Sequence, residues 1–171
     1  MKTLILMRHA KSAWDADDLP DHDRPLSDRG RAAAPAMGRW LKSNRVRPDL
    51  ILCSTAARAT ETLELVSEYL PKTTQTRRLE SLYMALPREI LAAIAQEKAA
   101  TLMLIGHNPG IGSLAHWLAG EGDPKQLARM QEKFPTGAVA IIEFNVDSWQ
   151  DIDGEQGRLV HFACPKEMSK D

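Results

Sequence analysis

Three short apolar runs mark the first two thirds of the chain, and each stops at residues that can do chemistry. The first spans Thr3 to Met7, with Leu4-Ile5-Leu6-Met7 as its body, and breaks at Arg8-His9. The second, Leu50-Ile51-Leu52-Cys53, is introduced by Pro48-Asp49 and followed by Ser54-Thr55. The third, Ala100 to Ile105, runs into Gly106-His107-Asn108-Pro109-Gly110. Apolar runs of this length without polar alternation read as strands buried on both faces. A strand buried on both faces cannot carry a cation and an imidazole in its middle. It can carry them at its carboxyl end, where ligands bind in open α/β sheets.

The segments between these runs have helical spacing. Ser27 is a good N-cap with Asp28 in the first turn, and Ala33, Met37, Trp40 and Leu41 recur along a helix to about Ser43. Further helices are predicted from Ala56 to about Leu70, from Pro87 to about Glu97, from Ile111 to Leu118 and from Lys125 to Lys133. Weaker strands are predicted at Thr73 to Arg77, Ala138 to Phe144 and, at an edge, Arg158 to Ala163. Leu79 to Tyr83 reads as a loop, Glu121 to Pro124 as a turn and Asn145 to Gly157 as a polar turn region, while Trp117 is expected in the core. Alternating strands and helices predict an α/β fold: a three-layer α/β/α sandwich with a mostly parallel central sheet and an antiparallel edge strand. The length of 171 residues, with no repeat or linker, fits one domain over 1–171.

Composition narrows the function classes. The net charge of −1, with Lys and Arg scattered, gives no field suited to nucleic acid or an anionic membrane. Two cysteines, Cys53 and Cys164, cannot build a disulfide framework, and Cys53 at the end of an apolar run reads as a buried free thiol. The segment MKTLILMRHAKS has too short an apolar stretch for a signal peptide and lacks a small-residue cleavage site, and no stretch approaches a membrane span. The expectation is a soluble cytoplasmic protein.

If the three strands are parallel, Arg8, His9, Arg58 and His107 converge at one sheet edge beside two helix N-termini. Arginine matches phosphoryl oxygens, neutral histidine is a nucleophile or base, and helix N-termini add unpaired N–H groups. Such a pocket suits a phosphoryl group. Asp21-His22-Asp23 could suggest a metal cluster, but adjacent residues rarely converge on one ion, and a solvated, substrate-facing loop is the better reading.

The same residues carry a resemblance. Leu6-Met7-Arg8-His9-Ala10, Arg24-Pro25-Leu26-Ser27-Asp28-Arg29-Gly30, Ser54-x3-Arg58-Ala59-x-Glu61-Thr62 and Gly106-His107-Asn108 resemble the histidine phosphatase superfamily, and within it the small phosphohistidine phosphatases of the SixA type. The resemblance spans about Lys2 to Gly112. Ala10 stands where many members have glycine. It implies a phosphoglycerate mutase-like fold and a phosphatase in which His9 becomes phosphorylated while Arg8, Arg58 and His107 hold the phosphoryl oxygens. No cofactor or metal is expected, since the arginines supply the positive charge. Ser12 and Asn108 are candidates to bind phosphate or fix the histidines. For the general acid, Glu80 occupies the matching stretch, with Asp15, Asp17, Asp18, Asp21 and Asp23 as competitors. A phosphoramidate nitrogen is a more labile leaving group than an alkoxide, so a weak acid can suffice. The implied substrate is a phosphohistidine-bearing protein, with a small phosphorylated metabolite as the alternative. The acidic loop Lys11 to Pro25 is expected to disfavour strongly anionic substrates.

Three other readings compete. Cys53-x4-Arg58 is one residue short of the Cys-x5-Arg loop of protein tyrosine phosphatases and lacks its glycines. A phosphomutase would need lid insertions for which the chain is short. A non-catalytic phosphate-recognition module would not require the intact Arg8, His9, Arg58 and His107.

Overall fold

A computed structural model describes residues 1–14 and 18–168. Seven strands form one sheet in the order β3-β2-β4-β1-β6-β7-β5. These are β1 (Lys2–Arg8), β2 (Leu50–Ser54), β3 (Gln75–Leu79), β4 (Thr101–Gly106), β5 (Ala119–Gly122), β6 (Val139–Phe144) and β7 (Gly157–Ala163). The principal helices are α1 (Asp28–Ser43), α2 (Ala57–Ser67), α3 (Pro87–Ala95), α4 (Gly110–Leu118) and α5 (Pro124–Glu132), with a terminal turn α6 (Pro165–Met168).

Alternation within β1 builds the three layers. Leu4 and Leu6 face a core shared with Ile90, Ile94, Ile111 and Leu114 of α3 and α4. Ile5 and Met7 face the opposite core, with Ala34, Met37 and Leu41 of α1 and Leu63 and Val66 of α2. All four β1 side chains are fully buried, as an apolar run without alternation demands. α1 starts where Ser27 Oγ accepts the Gly30 amide at 3.1 Å, leaving its first turn free to pack on the loop after β1. There Gly30 is obligatory in practice: a Cβ would stand 2.1 Å from the Lys11 carbonyl oxygen.

β1, β2, β3 and β4 are mutually parallel. The antiparallel strand is β6, and it lies inside the sheet between β1 and β7 rather than at an edge. The edges are β3 and the four-residue β5. β5 covers β7, so Arg158 to Ala163 is not an edge strand despite its alternation. β5 occupies part of the stretch expected to be a turn. Its sequence Ala-Gly-Glu-Gly has no strand signature, and it is held by parallel pairing to β7.

The tryptophans also depart from expectation. Trp117 is 43% exposed, because α4 turns Ile111, Leu114, Ala115 and Leu118 inward and leaves Trp117 to cap Gly154 at the surface. Trp149 comes from the segment expected to be polar turn, yet is buried and donates its indole N–H to the Ala99 carbonyl at 2.6 Å. Cys53 and Cys164 are free and buried. No helix among the described residues is long and apolar enough to cross a membrane.

Candidate active site

The parallel register sets Arg8 of β1 beside Gly106 of β4, with β2 on the far side of β4. The three strand ends therefore open on one edge, where a cavity of about 520 Å³ is lined by Arg8, His9, Arg58, His107, Ser12 and Asn108. Two ties fix the nucleophile candidate: the His9 amide donates to the Gly106 carbonyl at 3.0 Å, and the Ala10 amide to Thr62 Oγ1 at 3.0 Å. Thr62 Oγ1 in turn donates to the Arg58 carbonyl at 2.7 Å, so β1 and α2 are locked together behind the site.

His9 is buried, and its Nδ1 donates to its neighbour's carbonyl, Ala10 O, at 2.7 Å. A carbonyl only accepts, so the neutral ring carries its proton on Nδ1 and its lone pair on Nε2. Burial, above all, pulls the His9 pKa down to about 3, with His107, Arg58 and Arg8 adding repulsion and the Ala10 carbonyl opposing. His107 lies with its ring centre 5.1 Å from that of His9. Its Nε2 pairs with Ser54 Oγ at 2.7 Å, and burial followed by the Arg58 charge lowers its pKa to about 4. Both rings are thus neutral at physiological pH. Burial and the charge of Arg58 also lower the pKa of Arg8.

Among the described residues, three buried side-chain polar atoms have no hydrogen-bond partner: Arg8 Nε, Arg58 Nε and His107 Nδ1. All three residues line the cavity that holds His9. Unpartnered buried polar atoms are costly and call for an explanation. Two guanidinium N–H donors and an imidazole nitrogen left open in one cavity with His9 make a ready receptor for a tetrahedral oxyanion.

Ser12 and Asn108 are brought to the cavity but spend their polar groups on the fold. Ser12 Oγ accepts from Arg24 Nη1 at 2.9 Å. Asn108 caps α4 through its oxygen on the Gly112 amide, and its Nδ2 donates to the Phe134 carbonyl at 2.9 Å. Glu80 is not brought there. β3 runs two residues further than expected, to Leu79, and Glu80 starts a one-turn 3₁₀ segment with its side chain exposed. That turn points Met84, not Glu80, into the cavity, with Met84 in the left-handed region at φ 51°.

Of the competing aspartates, Asp15 and Asp17 lie outside the described residues, and Asp18 and Asp23 are exposed and do not line the cavity. Asp21 does line it. Its carboxylate accepts from Arg58 Nη2 at 3.0 Å, from Arg24 Nη2 at 2.9 Å and from the Tyr83 hydroxyl. The Tyr83 hydrogen bond, ahead of those from Arg24 and Arg58, holds Asp21 well below the usual carboxylate range. The same bond raises the pKa of Tyr83. Sequence reasoning did not assign a role to Arg24, although it stands in the Arg24-Pro25-Leu26-Ser27 segment. Lys133 and Thr136 carry no sequence signal; they reach the cavity because β6 is antiparallel and starts at this edge. The described part of the Lys11 to Pro25 loop presents Lys11, Trp14 and Arg24 as well as Asp21, so its contribution here is not simply acidic.

Cys53 is absent from the cavity lining, and burial pushes its thiol up to about 12, which leaves no thiolate for a Cys-based mechanism. His22 pairs through Nε2 with Thr55 Oγ1 at 2.8 Å, and its Nδ1 lies 3.5 Å from Asp23 Oδ1. Among the described residues no three His, Cys, Asp or Glu side chains are grouped to hold a metal ion.

Comparison with known proteins decides the family. The model of the histidine phosphatase superfamily (branch 1) matches residues 4–83. Phosphohistidine phosphatase SixA of Escherichia coli (strain K12) is 31% identical over 144 residues, covering 81% of this chain and 83% of that protein. The chain belongs to the histidine phosphatase superfamily. Its fold is that of the phosphoglycerate mutase-like proteins. The crystal structure of a putative phosphohistidine phosphatase SixA from Agrobacterium tumefaciens superposes with a TM-score of 0.81 at 31% identity, covering 96% of this chain and 98% of that one. A protein histidine phosphatase SixA solved in complex with tungstate superposes with a TM-score of 0.76 at 27% identity, covering 97% and 99%.

Proposed function

We propose that this superfamily member is a phosphatase that passes a phosphoryl group through His9, and that its substrate is phosphohistidine on a protein. The observation that carries the reading is the trio of unpartnered buried polar atoms, Arg8 Nε, Arg58 Nε and His107 Nδ1, in one cavity with a neutral His9 whose Nε2 holds the lone pair. The SixA relatives, one of them bound to tungstate, an oxyanion, support the same use of the site.

In the first step His9 Nε2 attacks phosphorus. The P–Nε2 bond forms as the bond to the leaving group breaks, and charge spreading over the phosphoryl oxygens is met by Arg8, Arg58 and the His107 ring. In the second step water attacks phospho-His9, the P–N electron pair returns to Nε2, and orthophosphate leaves. The arginines supply the positive charge that this chemistry needs.

The leaving group points to phosphohistidine. Asp21 is held ionised by three donors and has no proton to give at neutral pH, and Glu80 is away from the cavity. An alkoxide leaves poorly without a proton donor. A phosphorylated imidazole protonated on its other ring nitrogen leaves as neutral imidazole and needs none.

The test is turnover in EDTA of a phosphohistidine-bearing protein, a panel of phosphorylated metabolites and an aryl phosphate, by wild type and His9→Ala. Release from phosphohistidine that is lost in His9→Ala supports the proposal. Preference for a metabolite replaces the substrate and keeps the mechanism. Phosphate binding without turnover of any compound overturns both in favour of a recognition module.

A further inference from the structure

Arg58 is the most buried charge in the site, at 3% exposure, and one residue occupies both outer arms of its guanidinium. Nη1 donates to the Asp21 backbone carbonyl at 2.7 Å, and Nη2 donates to the Asp21 carboxylate at 3.0 Å. The planar group can satisfy two acceptors on one residue in a single orientation. Its remaining edge carries the buried, unpartnered Nε–H. Asp21 is itself held from outside. Arg24 Nη2 donates to the other carboxylate oxygen at 2.9 Å, and Tyr83 donates to the oxygen that Arg58 uses. Arg24 is stacked over the Trp14 ring at 4.0 Å and donates to Ser12. His22, the next residue along, is pinned to Thr55 at the start of the α2 region. The short Asp21–Asp23 turn is thus tied down by four different side chains, yet it packs no buried residue of its own.

We propose that Asp21 is the positioning residue for Arg58: its carbonyl and carboxylate act as a two-point clamp that fixes the guanidinium so that its free edge meets the phosphoryl group on its way to His9. The proposal rests on the reading of His9 as nucleophile for its catalytic consequence, but the clamp itself acts on any tetrahedral oxyanion. Asp21 is not the proton donor to the leaving group, since the three donors around it keep it ionised. Nor does it serve to block Arg58, because it takes the two Nη arms and leaves Nε–H open. Asp18 and Asp23, the other described carboxylates of the loop, do not line the cavity. Tyr83 completes the arrangement. Its ring lies edge-on to His107 at 5.5 Å between centres, and its hydroxyl anchors the carboxylate, so the clamp and the second histidine share one support.

The experiment compares wild type, Asp21→Asn and Asp21→Ala by tungstate affinity and by kcat/KM on aryl phosphates of graded leaving-group pKa. Asp21 is half exposed on a one-turn segment, so both variants fold; thermal melts verify this. Asp21→Ala is expected to lower kcat/KM by about 100-fold, the cost of a misplaced catalytic group. The factor is the same for good and poor leaving groups. Tungstate binding weakens by about tenfold, the scale of one charge-assisted contact. Asp21→Asn keeps an oxygen acceptor and recovers part of both losses. A loss that grows with leaving-group pKa would make Asp21 a general acid and overturn the proposal. Unchanged or tighter tungstate binding would show that Asp21 does not position Arg58 and overturns it equally. If wild type turns over no phosphate compound, the proposed function fails, while the tungstate comparison still decides the clamp.

Discussion

Acidification to about pH 5 should destabilise this fold through two residues, His9 and His107. Both are buried and neutral in the folded chain, with pKa values pulled down from 6.5 to about 3 and about 4. In the unfolded chain each titrates near its ordinary value of about 6.5. Between the folded and unfolded values the unfolded chain binds more protons, so stability rises with pH across that window. It is fully present above about 6.5 and is lost as pH falls. At about pH 5, some 1.5 units below the unfolded value, each ring costs about 2 kcal/mol and the pair about 4 kcal/mol, at about 1.4 kcal/mol per unit. The figure depends on the unfolded value alone, because both folded values lie below pH 5. The assay is urea unfolding at about pH 7.5 and about pH 5, on wild type and on the His9→Asn/His107→Asn double variant. Groups other than these two titrate alike in both proteins, so their contributions cancel in the difference. Wild type should lose about 4 kcal/mol more than the variant. Equal losses would mean that the two rings protonate inside the fold, and the neutral nucleophile on which the mechanism depends would be gone.

Gly30→Ala sets helix propensity against a clash. Alanine in place of a helical glycine favours stability by at most about 0.5–1 kcal/mol, whereas a Cβ 2.1 Å from the Lys11 carbonyl costs about 1–3 kcal/mol or more. The melting temperature should fall by several degrees, and a rise would refute the close approach. Ser54→Ala strips His107 Nε2 of its partner and should cost about 1–3 kcal/mol in urea melts, with kcat reduced as the ring loses its anchor; a variant equal to wild type in both would remove Ser54 from the site's support. Cys53, with its thiol pushed up to about 12, should resist a thiol-directed alkylating reagent in the native state, and activity should survive treatment. Rapid modification with loss of activity would revive the cysteine mechanism.

The parts of the site that lay on parallel strands were legible. Arg8-His9, Ser54 with Arg58, and His107 each follow an apolar run, and a shared strand direction is enough to bring them together. Glu80 failed because its position depends on where β3 stops, and a shift of two residues in an exposed edge strand leaves no trace in the pattern. Asp21 could not be singled out from the other aspartates of its loop. What distinguishes it is Arg58, thirty-seven positions away, and proximity of that kind arises only on folding. The same holds for Lys133 and Thr136, whose arrival at the cavity follows from the direction of β6, and for β5, whose Ala-Gly-Glu-Gly sequence carries no strand pattern and whose glycines instead admit the close approach to β7.

The strand that carries the proposed nucleophile precedes the other six in the chain and gains its second neighbour late. β1 sits between β4 and β6, so neither of its hydrogen-bonding edges has a partner until residues far along the chain emerge from the ribosome. At about 5–20 residues per second, the wait from Arg8 to Phe144 is on the order of 10 s. Until β4 emerges both edges of Leu4-Ile5-Leu6-Met7 are open, and until β6 emerges one of them still is, the kind of edge that pairs with other chains. The Gly137 amide then closes the site by donating to both the Arg8 and His9 carbonyls, at 3.1 and 2.9 Å. The edge proposed to be catalytic is therefore a late product of synthesis, and a nascent chain that stalls before β6 leaves one apolar strand edge exposed and lacks the Gly137 amide that closes the cavity side of β1.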